Sequence, residues 1–253
     1  MVERLSYKEE VEGPIPSTPT KGSWRSWLAR HFDIVEATGS SPVLPTKMEN
    51  KEQKIIYEDE DIKVLDKPAG VIADEIENRA HRLDKDTSGI LLVAKNEKAL
   101  DFLQKQFKER KVEKKYIALV TGNLKEMEGK IETLLGRSPA DRRKQKVFLP
   151  NDPNIEGKRE AKTYYKVLQR FENYDLIEVE PKTGRKHQIR AHLAYLGHPI
   201  AGDKLYGFKN QPKPKGLKRQ FLHATYLKIK LPNNQIKEFR SELPDDLKLC
   251  LRN

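Results

Sequence analysis

The stretch that most limits what this chain can become is a dense polar segment running straight into an apolar one. Residues 81–89 read His-Arg-Leu-Asp-Lys-Asp-Thr-Ser-Gly, and Ile90-Leu91-Leu92-Val93-Ala94 follows at once. A short continuous apolar run bounded by turn residues reads as a buried strand. Such a strand anchors the loop before it, so that loop side chains can be held still at the mouth of a cleft. The loop offers two carboxylates, Asp84 and Asp86. Asp, Thr, Ser and Gly are also ordinary turn residues that bond their own backbone, and on chemistry alone a plain turn is the simpler account. A calcium loop is set aside, because its closing Glu would fall at Lys95.

Charge narrows the partner. With 34% charged and 36% hydrophobic residues, the chain can build a core only beneath a very polar surface. The net charge is +11, spread along the chain rather than gathered in a tail, which favours a polyanion. One cysteine, Cys250, rules out an intrachain disulfide framework and a cysteine-based metal site, and it fits a reducing compartment. No apolar run approaches the roughly 18 residues of a membrane span, and the start lacks a signal-peptide apolar region, so no membrane partner and a cytoplasmic location are expected.

Residues 1–47 carry Pro14, Pro16, Pro19, Pro42 and Pro45 and are expected to form a poorly ordered extension, with the regular sequence beginning after Met48. One account is that they are a tRNA gene read as protein, with translation starting at Met48. Ser26-Trp27-Leu28-Ala29-Arg30 and Gly39-Ser40-Ser41-Pro42 can be encoded by D-arm-like and T-arm-like stretches, about a tRNA's spacing apart. The other account is a genuine basic arm that helps hold RNA. Codons that cannot fold as a tRNA would remove the first.

Beyond Met48, Lys54–Tyr57 and Ile62–Asp66 read as two strands around the acidic turn 58–61. Asp66-Lys67-Pro68-Ala69-Gly70 then breaks the pattern. Asn96 suits a helix N-cap, and Ala99, Leu100, Leu103 and Phe107 recur at helical spacing to about Arg110. Residues 114–120, 158–165 and 176–180 read as strands. Between Arg137 and Lys146, five cations in ten residues suggest a hairpin or loop against phosphates, with a solvated loop nearly as good a reading. Residues 221–231 and 235–240 read as a closing hairpin, and the tail from Glu242 as a short helix.

The second dense block is Lys182-Thr183-Gly184-Arg185-Lys186-His187-Gln188-Ile189-Arg190, continuing to Gly197-His198-Pro199. Ile189, Leu193 and Leu196 share a helical face, and Gly197 with Pro199 ends the helix, so packing fixes the direction of Arg190. His187, His192 and His198 do not share a face, and a metal site is not expected.

His-Arg-Leu-Asp-x-x-Thr-Ser-Gly resembles the signature loop of the RluA-type family of RNA pseudouridine synthases. So do Lys67-Pro68-Ala69-Gly70, the Lys-x-Tyr-x-Ala-x-Val-x-Gly of Lys114 to Gly122, and Gly-Arg-x-His-Gln-Ile-Arg with Gly-His-Pro-Ile-x-Gly-Asp, which ends at Asp203. The connection from Gly70 to His81 is shorter than is usual there. The resemblance spans about 55–243 and implies a catalytic Asp84, a Tyr116 that packs on the target base, an Arg82 that fills the space that base vacates, and an Arg190 paired with Asp84. It implies an α+β pseudouridine synthase fold over 48–253: a mixed, mainly antiparallel sheet in two lobes around a basic cleft. Family members often carry a small S4 domain; no sign of one is seen in this sequence.

Pseudouridine formation involves no net oxidation, so no cofactor is expected. A carboxylate can act on the base, act on the sugar, or remove a ribose proton, and the sequence leaves all three open. Ribosomal RNA is the first expected substrate and tRNA the second, with a monomer as the working unit. Two other classes stand beside this one. A non-catalytic RNA-binding or ribosome assembly factor would not need the Asp, Tyr and Arg set. A sugar hydrolase would need a second working carboxylate, for which only Asp86 is near.

Overall fold

The computed structural model describes residues 54–251. The expected extension over 1–47 and the proposed start at Met48 lie outside the described residues.

Ten strands form one continuous mixed sheet, ordered β1-β2-β3-β9-β4-β8-β7-β5-β6, with β10 paired to β9. They are β1 Lys54–Glu58, β2 Ile62–Lys67, β3 Ser88–Ala94, β4 Glu113–Thr121, β5 Glu128–Arg137, β6 Gln145–Phe148, β7 Arg159–Arg170, β8 Tyr174–Pro181, β9 Leu222–Lys230 and β10 Ile236–Arg240. The helices are α1 Glu97–Lys108, α2 Gln188–Tyr195 and the short α3 Asp245–Lys248. The α+β architecture and mainly antiparallel pairing agree with the sequence reading, and the two lobes share one sheet.

Strand β9 is where the lobes meet. One edge pairs with β4 from Glu113↔Lys228 to Ala118↔Leu222. The other edge is divided: residues 226–230 pair with β10, while His223 and Ala224 pair in parallel with Ser88 and Gly89 of β3. The sequence suggests a closing hairpin here. The hairpin exists, but β9 is an interior strand, which explains why it is buried on both faces over most of its length. Gly89 makes the parallel junction possible. Its φ is +111°, and a Cβ there would lie 2.2 Å from the Ala224 carbonyl oxygen, so no other residue fits.

Each lobe has one main helix. α1 starts at Asn96, whose side chain accepts from the Ala99 N–H at 2.9 Å. Its Ala99 and Leu103 pack with Ile62, Val64, Ile90, Leu92, Leu227 and Phe239. α2 covers the far lobe through Ala191, against Leu135 and Ala161. Ile189 and Leu193 are buried as their spacing predicts, but Leu196 falls at the helix end and stays exposed. The cation-rich stretch is the turn between β5 and β6, as read.

Two buried histidines, His192 and His223, and the half-buried His81 set an acid limit on this fold. Burial pushes His192 and His223 down to about 4, and His81 to about 3. All three sit in hydrogen bonds: His192 between Thr133 and Thr163, His223 between Ser88 and the Ser241 carbonyl, and His81 accepting from the Leu92 N–H. An unfolded histidine takes up its proton near pH 6.5, so the unfolded chain binds more protons than the folded one between that pH and about 4. Stability is therefore full above pH 6.5 and falls as pH drops through this window, by roughly 2–3 kcal/mol for each of His192 and His223. Urea unfolding at pH 7 and pH 4.5 checks this: His223→Gln is expected to show a smaller drop than the wild type, and equal drops would count against it.

Candidate active site

The loop before β3 is held from two sides. The buried Lys67 ammonium donates to the carbonyls of Pro68, Val71 and Lys85 at 2.9, 3.0 and 3.1 Å. The Gly70 N–H reaches the same Lys85 carbonyl at 2.9 Å. Burial, with help from the Arg219 charge, pushes Lys67 down to about 8. From the other side Arg219 donates to the Asp86 carbonyl and to Ser88 Oγ, while Gln220 donates to Thr87 Oγ1. The Thr87 N–H closes a turn onto the Asp84 carbonyl at 3.0 Å. The backbone on both sides of Asp84 is thus tied down while its carboxylate is left to point into the cleft.

That carboxylate meets Arg190. The Arg190 Nη1 donates to Asp84 Oδ2 at 2.9 Å. Its other edge is fixed by Asp203: Nε donates to Oδ2 at 2.7 Å and Nη2 to Oδ1 at 2.9 Å. A bidentate pair of this kind sets the guanidinium plane and leaves one nitrogen for a second acceptor. Asp203 also accepts from the Leu205 and Tyr206 N–H groups. Burial opposes its charge, but Arg190 and these N–H groups outweigh burial and hold its pKa below the usual value. Burial likewise opposes the Arg190 charge, and the two carboxylates more than offset it. His187 approaches from the opposite side, with Nε2 3.8 Å from Asp84 Oδ1.

Around Asp84 opens a cleft of about 410 Å³, between the loop before β3, the end of α1, the start of β4 and the segment entering α2. Among the described residues its lining contains Arg82, Lys108, Arg110, Lys114, Lys182, Arg185, Lys186 and Arg190 but only one carboxylate, Asp84. Asp86 is not among the lining residues, and its carbonyl faces Arg219 instead.

The four residues singled out in the sequence all line this cleft. Asp84 is 18% exposed and Arg190 9%. Tyr116 is buried on β4, where burial and then the Asp84 charge drive its phenol pKa upward, keeping it a neutral hydroxyl. Arg82 stands at the rim, 53% exposed, and pairs with Asp74 at 3.3 Å.

Four further residues went unassigned in the sequence. Asp203 closes the second block but lies 13 positions from Arg190, and nothing in that spacing says the chain folds back onto the helix. His187 and Tyr206 contact each other at 3.1 Å beside Asp84. Lys114 lines the cleft with no carboxylate pairing it among the described residues, and burial alone pushes it down to about 8. Its signal was its place at the head of the Lys-x-Tyr-x-Ala-x-Val-x-Gly block, two residues before Tyr116, where the sequence reading gave it no role. Among the described residues no cluster of three or more His, Cys, Asp or Glu side chains could hold a metal ion.

A family profile described as RNA pseudouridylate synthase matches residues 78–195, a span that contains Asp84, Tyr116 and Arg190. A protein named ribosomal large subunit pseudouridine synthase D, from Borreliella burgdorferi, is 37% identical over 228 residues, covering 79% of this chain and 68% of its own length. This chain belongs to the RluA-type family of RNA pseudouridine synthases. An uncharacterized RNA pseudouridine synthase of Aquifex aeolicus is 41% identical over 203 residues, covering 69% of this chain but 62% of that relative. The chain therefore spans less than two thirds of that protein. Human RNA pseudouridylate synthase domain containing 1 shares the fold, with a TM-score of 0.70 at 29% identity, covering 81% of this chain and 90% of that one. In family terms, Asp84 occupies the signature loop and Arg190 ends the second block, and the fold brings the two within 2.9 Å.

Proposed function

We propose that this chain isomerises specific uridines in structured RNA to pseudouridine, with ribosomal RNA as the favoured substrate and tRNA the second. The observation that carries the reading is the single carboxylate, Asp84, paired with the buried Arg190 guanidinium and set among seven further cations. A cation-lined groove suits a phosphate backbone. One carboxylate suits a reaction that needs one, and the cleft offers no second for a hydrolase. Ribosomal RNA is favoured because the Borreliella relative is named for the large ribosomal subunit.

In this reading the target nucleotide leaves its stack, at a cost of a few kcal/mol. Arg82 fills the gap and Tyr116 packs on the uracil. The C1′–N1 bond breaks, the base turns, and a C1′–C5 bond forms. C5 gives up its proton and N1 takes one up, so atoms balance without a redox partner. Asp84 is the group that acts on the nucleotide, and Arg190 keeps it charged and aimed. We further propose that the enzyme works in the cytoplasm as a monomer. One chain supplies every residue of the site, and its cysteine is unpaired. No helix among the described residues is long and apolar enough to cross a membrane.

The test follows from the C5 proton. RNA made with tritium at uridine C5, taken from cells lacking this gene so that the target is unmodified, is incubated with the protein. Tritium release is expected. Tight binding with no release from such RNA would favour the non-catalytic RNA-binding reading.

Lys114 gives a second check. Its ammonium should contact phosphate, and it loses its charge as pH rises through about 8. RNA affinity, measured in an Asp84→Asn background, is expected to fall a few-fold between pH 7 and 9. Lys114→Met should bind more weakly at pH 7, lack that decline, and reduce the salt slope by about one. An unchanged salt slope would remove Lys114 from the RNA contact.

A further inference from the structure

Arg190 accounts for one oxygen of Asp84. The other, Oδ1, faces His187 Nε2 at 3.8 Å. This histidine is unusual in its backbone. It has φ 54° and ψ 19°, a left-handed conformation that residues other than glycine rarely adopt, immediately before α2 begins at Gln188. Such strain persists where the surroundings impose it, and it clusters at sites that use it. Here it turns the ring out of the helix path and toward the Asp84 carboxylate.

The ring is also held from behind. The Tyr206 hydroxyl lies 3.1 Å from Nδ1, and the two rings meet edge-on at 5.6 Å. The direction of that bond follows from a third group. The Gln145 backbone N–H donates to the same hydroxyl oxygen at 2.7 Å. That oxygen is already an acceptor, and no other acceptor among the described residues bonds its hydrogen. The arrangement that satisfies every group has Tyr206 O–H donating to Nδ1. Nδ1 is then an acceptor, and the ring proton sits on Nε2, facing Asp84.

We propose that His187 is a positioning residue for Asp84: a neutral imidazole whose Nε2–H is presented to Oδ1 while Arg190 holds Oδ2. The inference rests on the pseudouridine synthase reading above, and it adds a second donor to the carboxylate. The present separation is longer than a hydrogen bond, as is common before substrate is bound, and it closes on binding. With both oxygens met, the carboxylate cannot rotate, and the lone pairs directed at the nucleotide are fixed. Protonation would undo this arrangement. An imidazolium has no acceptor for the Tyr206 hydroxyl, and it would place a second full cation beside Asp84.

The groups facing His187 bear on its charge. They are Asp84 from the loop before β3, Arg190 and Lys186 from α2 and its approach, and Asp203 and Tyr206 from the loop after α2. Burial, Arg190 and Lys186 disfavour the imidazolium, the two carboxylates favour it, and the balance keeps the ring neutral below its usual range.

The experiment pairs kinetics with a direct reading of the ring. Long-range proton–nitrogen spectra of the full chain should show the His187 ring with its proton on Nε2, and Tyr206→Phe should mix the two tautomers. In tritium release from uridine C5, His187→Leu is expected to lower kcat by on the order of tenfold to a hundredfold with little change in KM, the size expected when a reacting group is misplaced by about an ångström. His187→Gln, which restores an N–H without a titrating ring, should recover most of kcat and keep its activity to lower pH than the wild type does. Should the Leu variant fail to fold, Tyr206→Phe serves in its place, with a smaller loss of kcat. A His187→Leu enzyme with wild-type kcat, or a ring with its proton on Nδ1, overturns the proposal. If the wild type releases no tritium, the enzymatic reading fails, and the spectra still decide whether His187 faces Asp84 as donor.

Discussion

Asp84→Asn is expected to abolish tritium release from C5-labelled RNA while leaving RNA affinity within a few-fold of the wild type. Asn has nearly the same shape, and its carbonyl can still accept from Arg190 Nη1, so the clamps from Lys67 and Arg219 stay in place. The eight cations that line the cleft are untouched. What is lost is the only carboxylate among the described residues that line the cleft, and with it the group proposed to act on the nucleotide. A loss on the order of 10⁴-fold or more is expected, as for removal of a reacting group elsewhere. Turnover within tenfold of wild type would remove Asp84 from its role. A large drop in affinity would instead mean that the carboxylate helps bind the RNA.

Arg190→Met has an effect nearly as large and of a different kind. It strips the partner from Asp84 and also leaves Asp203, fully buried, with two N–H donors and no counter-charge. Breaking a buried pair by removing one partner costs roughly 3–5 kcal/mol. The variant should therefore unfold at lower urea and turn over on the order of 10²–10³-fold more slowly, the scale of losing an electrostatic stabiliser. Asp203→Asn in the same background separates the two effects. Asn still accepts from Leu205 and Tyr206 but carries no charge, so stability should recover in part while turnover stays low. Recovery of both would make Arg190 a structural residue only. Lys at position 190 should not rescue, because an ammonium cannot hold Asp203 with two parallel bonds and also reach Asp84.

Much of this was readable in the residues because local rules carry it. The run from Ile90 to Ala94 is buried and forms most of β3. Asn96 caps α1, and the helix stops at Lys108, two residues short of the sequence reading, where Glu109 leaves the helix and Arg110 turns to positive φ. The Asp84–Arg190 pair was implied by the family resemblance, and the structure brings Arg190 Nη1 to 2.9 Å from Asp84 Oδ2. What stayed hidden depends on distant chain. β5 is largely polar, Glu128-Gly129-Lys130-Ile131-Glu132-Thr133, and its strand character comes from pairing with β7 and β6. Asp203 sits in a loop rich in turn residues and becomes a buried ion-pair partner only when that loop packs on α2. Lys114 and His187 look like ordinary polar residues in sequence. Their electrostatic situation is made by neighbours that no local pattern reveals.

The parallel junction of β3 with β9 has a consequence for how the molecule comes into being. The strand behind the Asp84 loop is pinned by residues 135 positions later, at Ser88 and His223, and Asp84 meets its arginine across 106 positions. Contacts so far apart repay their loop-closure entropy only late in folding. A nascent chain still lacking β9 has nothing to seat Gly89 against, and α1 lacks the Leu227 and Phe239 side chains that share its core. The loop that carries Asp84 is fully seated only when nearly the last strand is in place.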